Sequence, residues 1–288
     1  MTREREGELY MIALALLESW FPILSIVAMQ HIGALYTYAF ALMFSLVFFL
    51  VVMKRKNRFI ELKNRSAYKD LLLTSFWITT LFVLIFLGMQ YTTAGNMSVI
   101  IFLQVLFSYL YFNVFGSDKM DKIHTVGAFI MAGGALLILF PNELTLNKGD
   151  LLIMLGAAIA PIANYYSKRT RIHCSSETIL GFRTMLALPV ILLMAWIFEP
   201  TLNADNVLKA LPFVLLVGLL ILGLSKIFWM EALHRTSITK LSALLAIIPV
   251  MTLFFAYLYL NEIPEFRQLI GVLPVLIGGY LLTKPIKA

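Results

Sequence analysis

Long runs of apolar residues, broken at intervals by short polar stretches, set the pattern of this chain. Cutting it at the polar breaks leaves ten segments, at about 9–30, 33–53, 71–90, 93–115, 123–140, 150–167, 178–198, 210–230, 240–260 and 267–283. Each approaches the roughly 20 mainly apolar residues that a helix needs to cross a bilayer. A membrane β-barrel would instead show short alternating segments, and helices are the other structure that satisfies its own backbone in hydrocarbon. The pattern therefore predicts an all-α membrane protein of ten transmembrane helices. The opening MTREREGE runs into the first span with no A-x-A cleavage site, so that span is expected to persist in the mature protein.

Composition agrees with this reading. Hydrophobic residues make up 60% of the 288, charged residues only 14%, and mean hydropathy is +0.87. Charge then orients the spans. With the N-terminus inside, the cytoplasmic loops and tails collect 18 of the 23 Lys and Arg residues, Lys54, Arg55, Lys56, Arg58, Lys168, Arg169 and Arg171 among them. The opposite side holds only Lys148, Lys209 and Arg267, beside acidic Glu143, Asp150, Glu199, Asp205, Glu262 and Glu265. Both termini are thus expected in the cytoplasm, with the chain in the cell (inner) membrane. This asymmetry also accounts for the +7 net charge without a nucleic-acid partner.

The pattern repeats. A shift of 144 residues lays MQYTTAGNMSVIIFLQV (89–105) on LHRTSITKLSALLAIIP (233–249) without a gap. In that register Thr92 meets Thr236, Ser98 meets Ser242, Asp118 meets Glu262, Gly127 meets Gly271, Gly134 meets Gly278 and Pro141 meets Pro285. Five spans per copy make the two halves, 1–144 and 145–288, cross the membrane in opposite senses, the inverted repeat of many secondary transporters.

These residues carry a family resemblance. The run ALHRTS, SALLAIIPV and LYLNEIPEFRQLIGVLPVLIGGYLL, within 232–282, resembles the second half of EamA-type carriers of the drug/metabolite transporter superfamily. The first copy is looser, with Val105 where the second has a proline and Asp118 in place of the Glu. The resemblance spans essentially the whole chain. It implies a five-plus-five helical carrier of small organic solutes working by alternating access, and it does not choose among amino acids, drugs and sugar derivatives.

Three ionisable residues lie well inside spans: Glu18, Arg183 and Lys226. A charge at the bilayer centre costs about 2.5–3.5 kcal/mol on insertion scales, so each is a functional candidate. Glu18 lies roughly 15 Å along its helix, at about 1.5 Å per residue, too deep for a short side chain to reach water. Arg183 and Lys226 are nearer the cytoplasmic edge, where long basic chains can snorkel, and a Glu18–Lys226 salt bridge is the structural alternative. Pro22 lacks the N–H that would bond the Glu18 carbonyl, so a bend is expected there. Small multidrug resistance proteins, four-helix members of the same superfamily, resemble this stretch: their first helix carries a lone Glu on which substrate and protons compete. Trp20, Phe21 and Pro22 depart from their pattern. Independently of any family, a carboxylate in a poorly hydrated cavity favours its protonated or cation-paired form, so one site can exchange a proton for an amine.

Further polar and aromatic residues are candidates for the same pocket: Trp77 and Thr80 in span three, Asn96, Gln104 and Tyr109 in span four, Asn164 and Tyr165 in span six, and Trp229 in span eight. They sit in segments that line the central cavity in proteins the chain resembles, although Tyr165 and Trp229 also suit an interfacial belt. Gln104 stands out, because a mid-span amide wants partners. The four histidines, His31, His124, His173 and His234, fall at span ends or in loops, which argues against a histidine relay. Cys174 is the single cysteine and can form no internal disulfide. Gly127, Ala128, Gly133, Gly134, Gly271, Gly278 and Gly279 read as close helix packing.

Two function classes follow. The first is a secondary transporter, an exporter of small metabolites such as amino acids, with Glu18 for an amino group or a proton and Lys226 or Arg183 for a carboxylate. The second is a membrane-embedded enzyme or scaffold; the chain lacks H-E-x-x-H, a Gly-rich phosphate loop and any Cys/His cluster, and no cofactor or metal is implied. Oligomeric state is not legible.

Overall fold

A computed structural model describes residues 3–111, 122–139, 147–235, 245 and 247–282, and among these every regular element is helical. The elements are α1 (Arg3–Ser19), α2 (Phe21–Ile32), α3 (Ala34–Arg55), two 3₁₀ turns (Arg58–Lys63, Arg65–Ala67), α4 (Tyr68–Met89), α5 (Ala94–Phe102) and α6 (Gln104–Tyr109). There follow α7 (Lys122–Leu139), α8 (Lys148–Thr170), α9 (Ser176–Phe198), α10 (Ala204–Leu216), a π-helical stretch (Val217–Ser225), α11 (Lys226–Arg235), α12 (Ile247–Leu260) and α13 (Phe266–Leu282). Six stretches of the described residues are long and apolar enough to cross a membrane: Leu9–Ile32, Ala34–Arg55, Arg65–Met89, Lys148–Thr170, Ser176–Phe198 and Ala204–Ala232. Ala94–Tyr109, Ile247–Leu260 and Leu269–Leu282 are shorter apolar helices. Of the residues that match across the repeat, Asp118, Pro141, Thr236, Ser242 and Pro285 lie outside the described residues.

Helix ends follow local chemistry. Thr93 accepts the Asn96 N–H, Asn147 that of Gly149 and Asn203 that of Asp205, each a hydroxyl or amide oxygen meeting a donor that the first turn leaves free. Asn57 and Asn261, with φ of 53° and 55°, take left-handed conformations just beyond α3 and α12.

Helices of the first half pack on those of the second. The principal neighbours are α7 with α13, α5 with α12, α3 with α9, α4 with α8, α1 with α11 and α2 with α10. Small residues allow the closest approaches. A methyl group built on Gly134 would lie 2.7 Å from the Gly271 carbonyl oxygen, and one on Gly278 2.6 Å from that of Gly127. These two contacts pair ascending positions on α7 with descending positions on α13, so the helices run antiparallel. Gly133, by contrast, has open space where its side chain would be. The packing reading of the sequence thus fits Gly127, Gly134, Gly271 and Gly278 and does not apply to Gly133.

Two apolar helical stretches are interrupted along their length. Between α1 and α2 the helix loses its regular turn at Trp20, two residues before Pro22. Thr252 of α12 donates to the Ser19 carbonyl at 3.1 Å, and Trp20 stacks on Phe255 at 4.7 Å between centroids. Between α5 and α6 the break falls at Leu103, immediately before Gln104.

Candidate functional site

Glu18 stands one residue from the end of α1, and the widened turn of the π-helical stretch delivers Ser225 and Lys226 beside it. Lys226 Nζ donates to Glu18 Oε1 at 2.6 Å, and the Ser225 hydroxyl bonds the same oxygen. The Ser225 hydroxyl also bonds the Ile221 carbonyl one turn earlier at 2.6 Å. The paired side chains are only 16% and 19% exposed, so this ion pair is largely removed from water. Its charges are matched at short range, as a buried pair requires.

A second cation lies close by. Arg183 of α9 is 7% exposed, and its guanidinium carbon sits 5.9 Å from the centroid of the Phe82 ring. Lys226 Nζ is 5.7 Å from the same centroid. Tyr38 of α3 stacks on Phe82 at 5.8 Å, with Phe21 edge-on at 6.2 Å. Five spans therefore meet at one aromatic ring: one carboxylate, two cations and a phenol, walled by Phe21, Phe82 and Phe86. Beyond Lys226 the helix continues to Arg235, past the boundary near 230 that the sequence suggested.

The remaining candidates distribute elsewhere. Trp77 packs on the main core with its ring against Phe76 at 5.2 Å, and Thr80 donates back to the Phe76 carbonyl of its own helix. Asn96 belongs to a capping group: its amide faces Asp150 Oδ2 at 3.5 Å, while Thr92 donates to Oδ1 of the same carboxylate. Asp150, which the sequence placed at the start of a span on the side opposite the cytoplasm, is buried in the first turn of α8. Gln104 is the first residue after the break in span four, partly buried. Tyr109 is buried and stacks on His124 at 6.0 Å, its hydroxyl without a hydrogen-bond partner among the described residues. Asn164 is exposed; Tyr165 is 46% exposed, edge-on to Tyr166 and 5.8 Å from the Arg169 guanidinium. Trp229 packs between two small apolar clusters, one with Met11 and Leu14, the other with Ile179 and Phe182. Of the eleven residues singled out, the structure brings Glu18, Lys226 and Arg183 together. Ser225, Tyr38 and Phe82 join them without having been singled out.

Three further carboxylates cap helices of the opposite half. Glu199, after α9, accepts the Leu35 and Tyr36 N–H groups at 2.7 and 2.8 Å in the first turn of α3. Gly33 makes room for it: its φ is +82°, and a methyl group there would lie 2.7 Å from the Glu199 carboxyl carbon. Glu262, after α12, accepts the Ala94 and Gly95 N–H groups of α5 at 3.1 and 3.3 Å. Glu61, after α3, accepts the Ser175 N–H at 2.6 Å and the Thr178 hydroxyl at 2.7 Å at the start of α9. Burial alone would raise the Glu61 pKa, but the Ser175 and Thr178 bonds and the nearby Arg58 outweigh it and hold the carboxyl below its ordinary value. Burial, with Glu61 nearby, pushes the Cys174 thiol up, so it is a poor nucleophile. Glu61 and Cys174 line an open cleft of about 290 Å³ with Lys56, Arg58, Arg171, His173 and Glu177.

Comparison with known proteins now adds a family. The model of the EamA-like transporter family matches this chain twice, over residues 5–140 and 147–284. Among curated proteins, the uncharacterized transporter YoaV of Bacillus subtilis is 26% identical over 234 residues, 78% of this chain and 80% of its own length. An uncharacterized transporter of Archaeoglobus fulgidus is 25% identical over 215 residues, 72% of each chain. The WAT1-related chloroplastic protein At3g02690 of Arabidopsis thaliana is 25% identical over 212 residues, 69% of this chain and half of that protein. One solved crystal structure shares the fold, with a TM-score of 0.68 at 14% identity over 96% of this chain and 95% of that one.

Proposed function

The chain belongs to the EamA-like transporter family, and from that premise we propose that it is a secondary active exporter of small organic metabolites such as amino acids, coupled to protons through Glu18. Ten spans in two inverted five-helix repeats, 1–144 and 145–288, work by alternating access, in a cell membrane with both termini in the cytoplasm. The antiparallel seating of α7 on α13 and the pairing of first-half with second-half helices support that arrangement.

The observation that carries the reading is the Glu18–Lys226 pair, charged, largely dry, and set where both contributing spans lose regular helix. Interrupted helices at the midplane are where carriers free backbone and polar groups for a solute, and π-helical turns concentrate at functional sites. Glu18 can hold Lys226, a substrate ammonium or a proton, one at a time. When a proton or an ammonium takes the carboxylate, Lys226 loses its counter-charge, which disfavours the closed packing and drives opening to one side. Proton entry on one side and solute loading on the other then give exchange in the export sense.

The test is flux in proteoliposomes, with a panel of radiolabelled amino acids, amines and monocarboxylates, with and without an imposed pH gradient. The expected result is solute movement that the gradient accelerates and that Glu18→Gln makes indifferent to it. Gradient-driven flux undiminished in a well-folded Glu18→Gln protein would remove Glu18 from coupling. Absence of flux for every solute would remove the carrier reading itself.

A further inference from the structure

We infer that Arg183 is the anion-recognising group of the site and that the transported solute carries a carboxylate, seated against the guanidinium and the Tyr38 hydroxyl with its apolar part along Phe82. This rests on the carrier reading and narrows its substrate class.

The ion pairs among the described residues are Lys56–Glu177, Arg58–Glu61, Arg169–Asp70 and Lys226–Glu18. The first three lie at helix ends or in loops, and the fourth uses the carboxylate at the site. Arg183 belongs to none of them. It is more than nine-tenths buried, and no described residue accepts a hydrogen bond from it. A guanidinium presents five N–H donors and is always charged. The Tyr38 hydroxyl, on a residue 2% exposed, is also without a hydrogen-bond partner among the described residues.

Burial of this kind needs an explanation. An arginine that merely anchors a helix at the interface extends to water and is exposed at its tip, which 7% exposure denies. The Phe82 face at 5.9 Å offers cation–π attraction near the outer limit of its range, and it accepts none of the N–H groups. Donors without acceptors among the described residues, beside a positive charge that none of those residues matches, describe half of a recognition site.

The missing half follows from the donors. With Glu18 and Lys226 matched, the group carries one net positive charge, which a monoanion balances and a phosphate dianion over-balances. A carboxylate meets the fork of a guanidinium with two parallel bonds and has a lone pair left for a phenol. The walls are Phe21, Phe82 and Phe86 with the face of Tyr38, which suit an apolar body. Because Lys226 faces the same Phe82 ring at 5.7 Å, a solute seated there also borders Glu18. A deaminated apolar acid balances the charge outright; an apolar amino acid, a zwitterion, sets its carboxylate on Arg183 and its ammonium toward Glu18 and leaves the one positive charge on Lys226.

The experiment uses the full-length protein in lipid nanodiscs and proteoliposomes. The probes are leucine, phenylalanine and methionine, their amides, which lack the carboxylate, and the matching acids without the amine. Thermal stabilisation and equilibrium binding are measured for the wild type, Arg183→Lys and Arg183→Gln. The expectation is that free amino acids and deaminated acids stabilise the wild type and the amides do so at least tenfold less well. Arg183→Lys, which keeps the charge and loses the fork, should bind the carboxylate probes about tenfold more weakly. Arg183→Gln should lose them while keeping whatever amide binding the wild type has. Wild-type carboxylate affinity in Arg183→Lys, equal binding of amides and acids, or no stabilisation by any carboxylate probe would each overturn the inference. Gradient-driven flux of an amide alongside any of those results would leave the carrier reading intact. Carboxylate binding that depends on Arg183 in a protein with no flux would uphold the site and sink the carrier.

Discussion

Ser225 and Lys226 converge on a single oxygen of Glu18; neutralising that carboxylate leaves Lys226 without its counter-charge, while the Ser225 hydroxyl keeps the Ile221 carbonyl as acceptor. Breaking a buried pair by removing one partner costs about 3–5 kcal/mol, whereas replacing both partners with apolar groups is often neutral. Glu18→Gln is therefore expected to lower stability by about 3 kcal/mol, and Lys226→Met added to it to recover most of the loss. Thermal unfolding in detergent checks both. Flux separates the roles: if the pair is only structural, the double variant regains gradient-driven transport along with stability. On the coupling reading it regains stability alone. Glu18, Lys226 and Arg183 were legible in the sequence because charge in an apolar span is costly and therefore rare. Phe82 and Tyr38 were not, since one more aromatic in a membrane helix carries no mark of what it faces. Ser225 had a weak signal in its place beside Lys226. Asn96 and Thr80 were polar for a local reason, a helix start and a bond to the preceding turn.

Among the elements, α7 and α13 offer the sharpest test of packing. A methyl group on Gly278 would fall 2.5 Å from the Met131 nitrogen and 2.6 Å from the Gly127 oxygen, backbone atoms that move only with their helix. Gly278→Ala is expected to destabilise by about 1–3 kcal/mol through overpacking. Gly133→Ala meets open space, and the gain in helix propensity should leave it neutral or more stable by up to about 1 kcal/mol. Thermal unfolding of the two variants side by side is the measurement; equal losses would show that the interface is not set by these glycines. The sequence marked all of them alike, because a glycine says that room is used somewhere and not on which helix face. Helix breaks were also unevenly legible. Pro22 announced the interruption of the first span, but Leu103 carries neither proline nor glycine, and only Gln104 beside it hinted at the break. Conversely Pro161, Pro189, Pro212 and Pro274 sit inside helices that continue through them.

Over the whole molecule, the helix caps form a reciprocal set. Glu61 follows α3 and caps α9, while Glu199 follows α9 and caps α3. On the proposed arrangement α3 and α9 are equivalent helices of the two halves, so the same device holds them together at the cytoplasmic end in one case and at the far end in the other. An anion at a helix N-terminus is favoured by the free N–H groups and the helix dipole, by about 1–2 kcal/mol in partly buried geometry. Two such contacts on opposite sides are what a two-sided gate needs: releasing one frees one mouth. A cysteine replacing Ser225 beside Glu18, in a Cys174→Ser background, reports which mouth is open through its reaction with a membrane-impermeant thiol reagent. Adding Glu61→Gln is expected to speed labelling from the cytoplasmic side, and adding Glu199→Gln to speed it from the far side. Acid should imitate the first change. Because the folded Glu61 is held below its ordinary value of 4.5, its contribution is present above that pH and is lost as the pH falls through the lowered value. Acidifying the cytoplasmic face through that lowered value should thus open the cytoplasmic mouth in the parent, read as labelling relative to a fully exposed cysteine at the same pH, and have no added effect in Glu61→Gln. If both variants instead speed labelling equally from both sides, the caps stabilise helices without gating, and alternation must be sought in the interrupted spans at the centre.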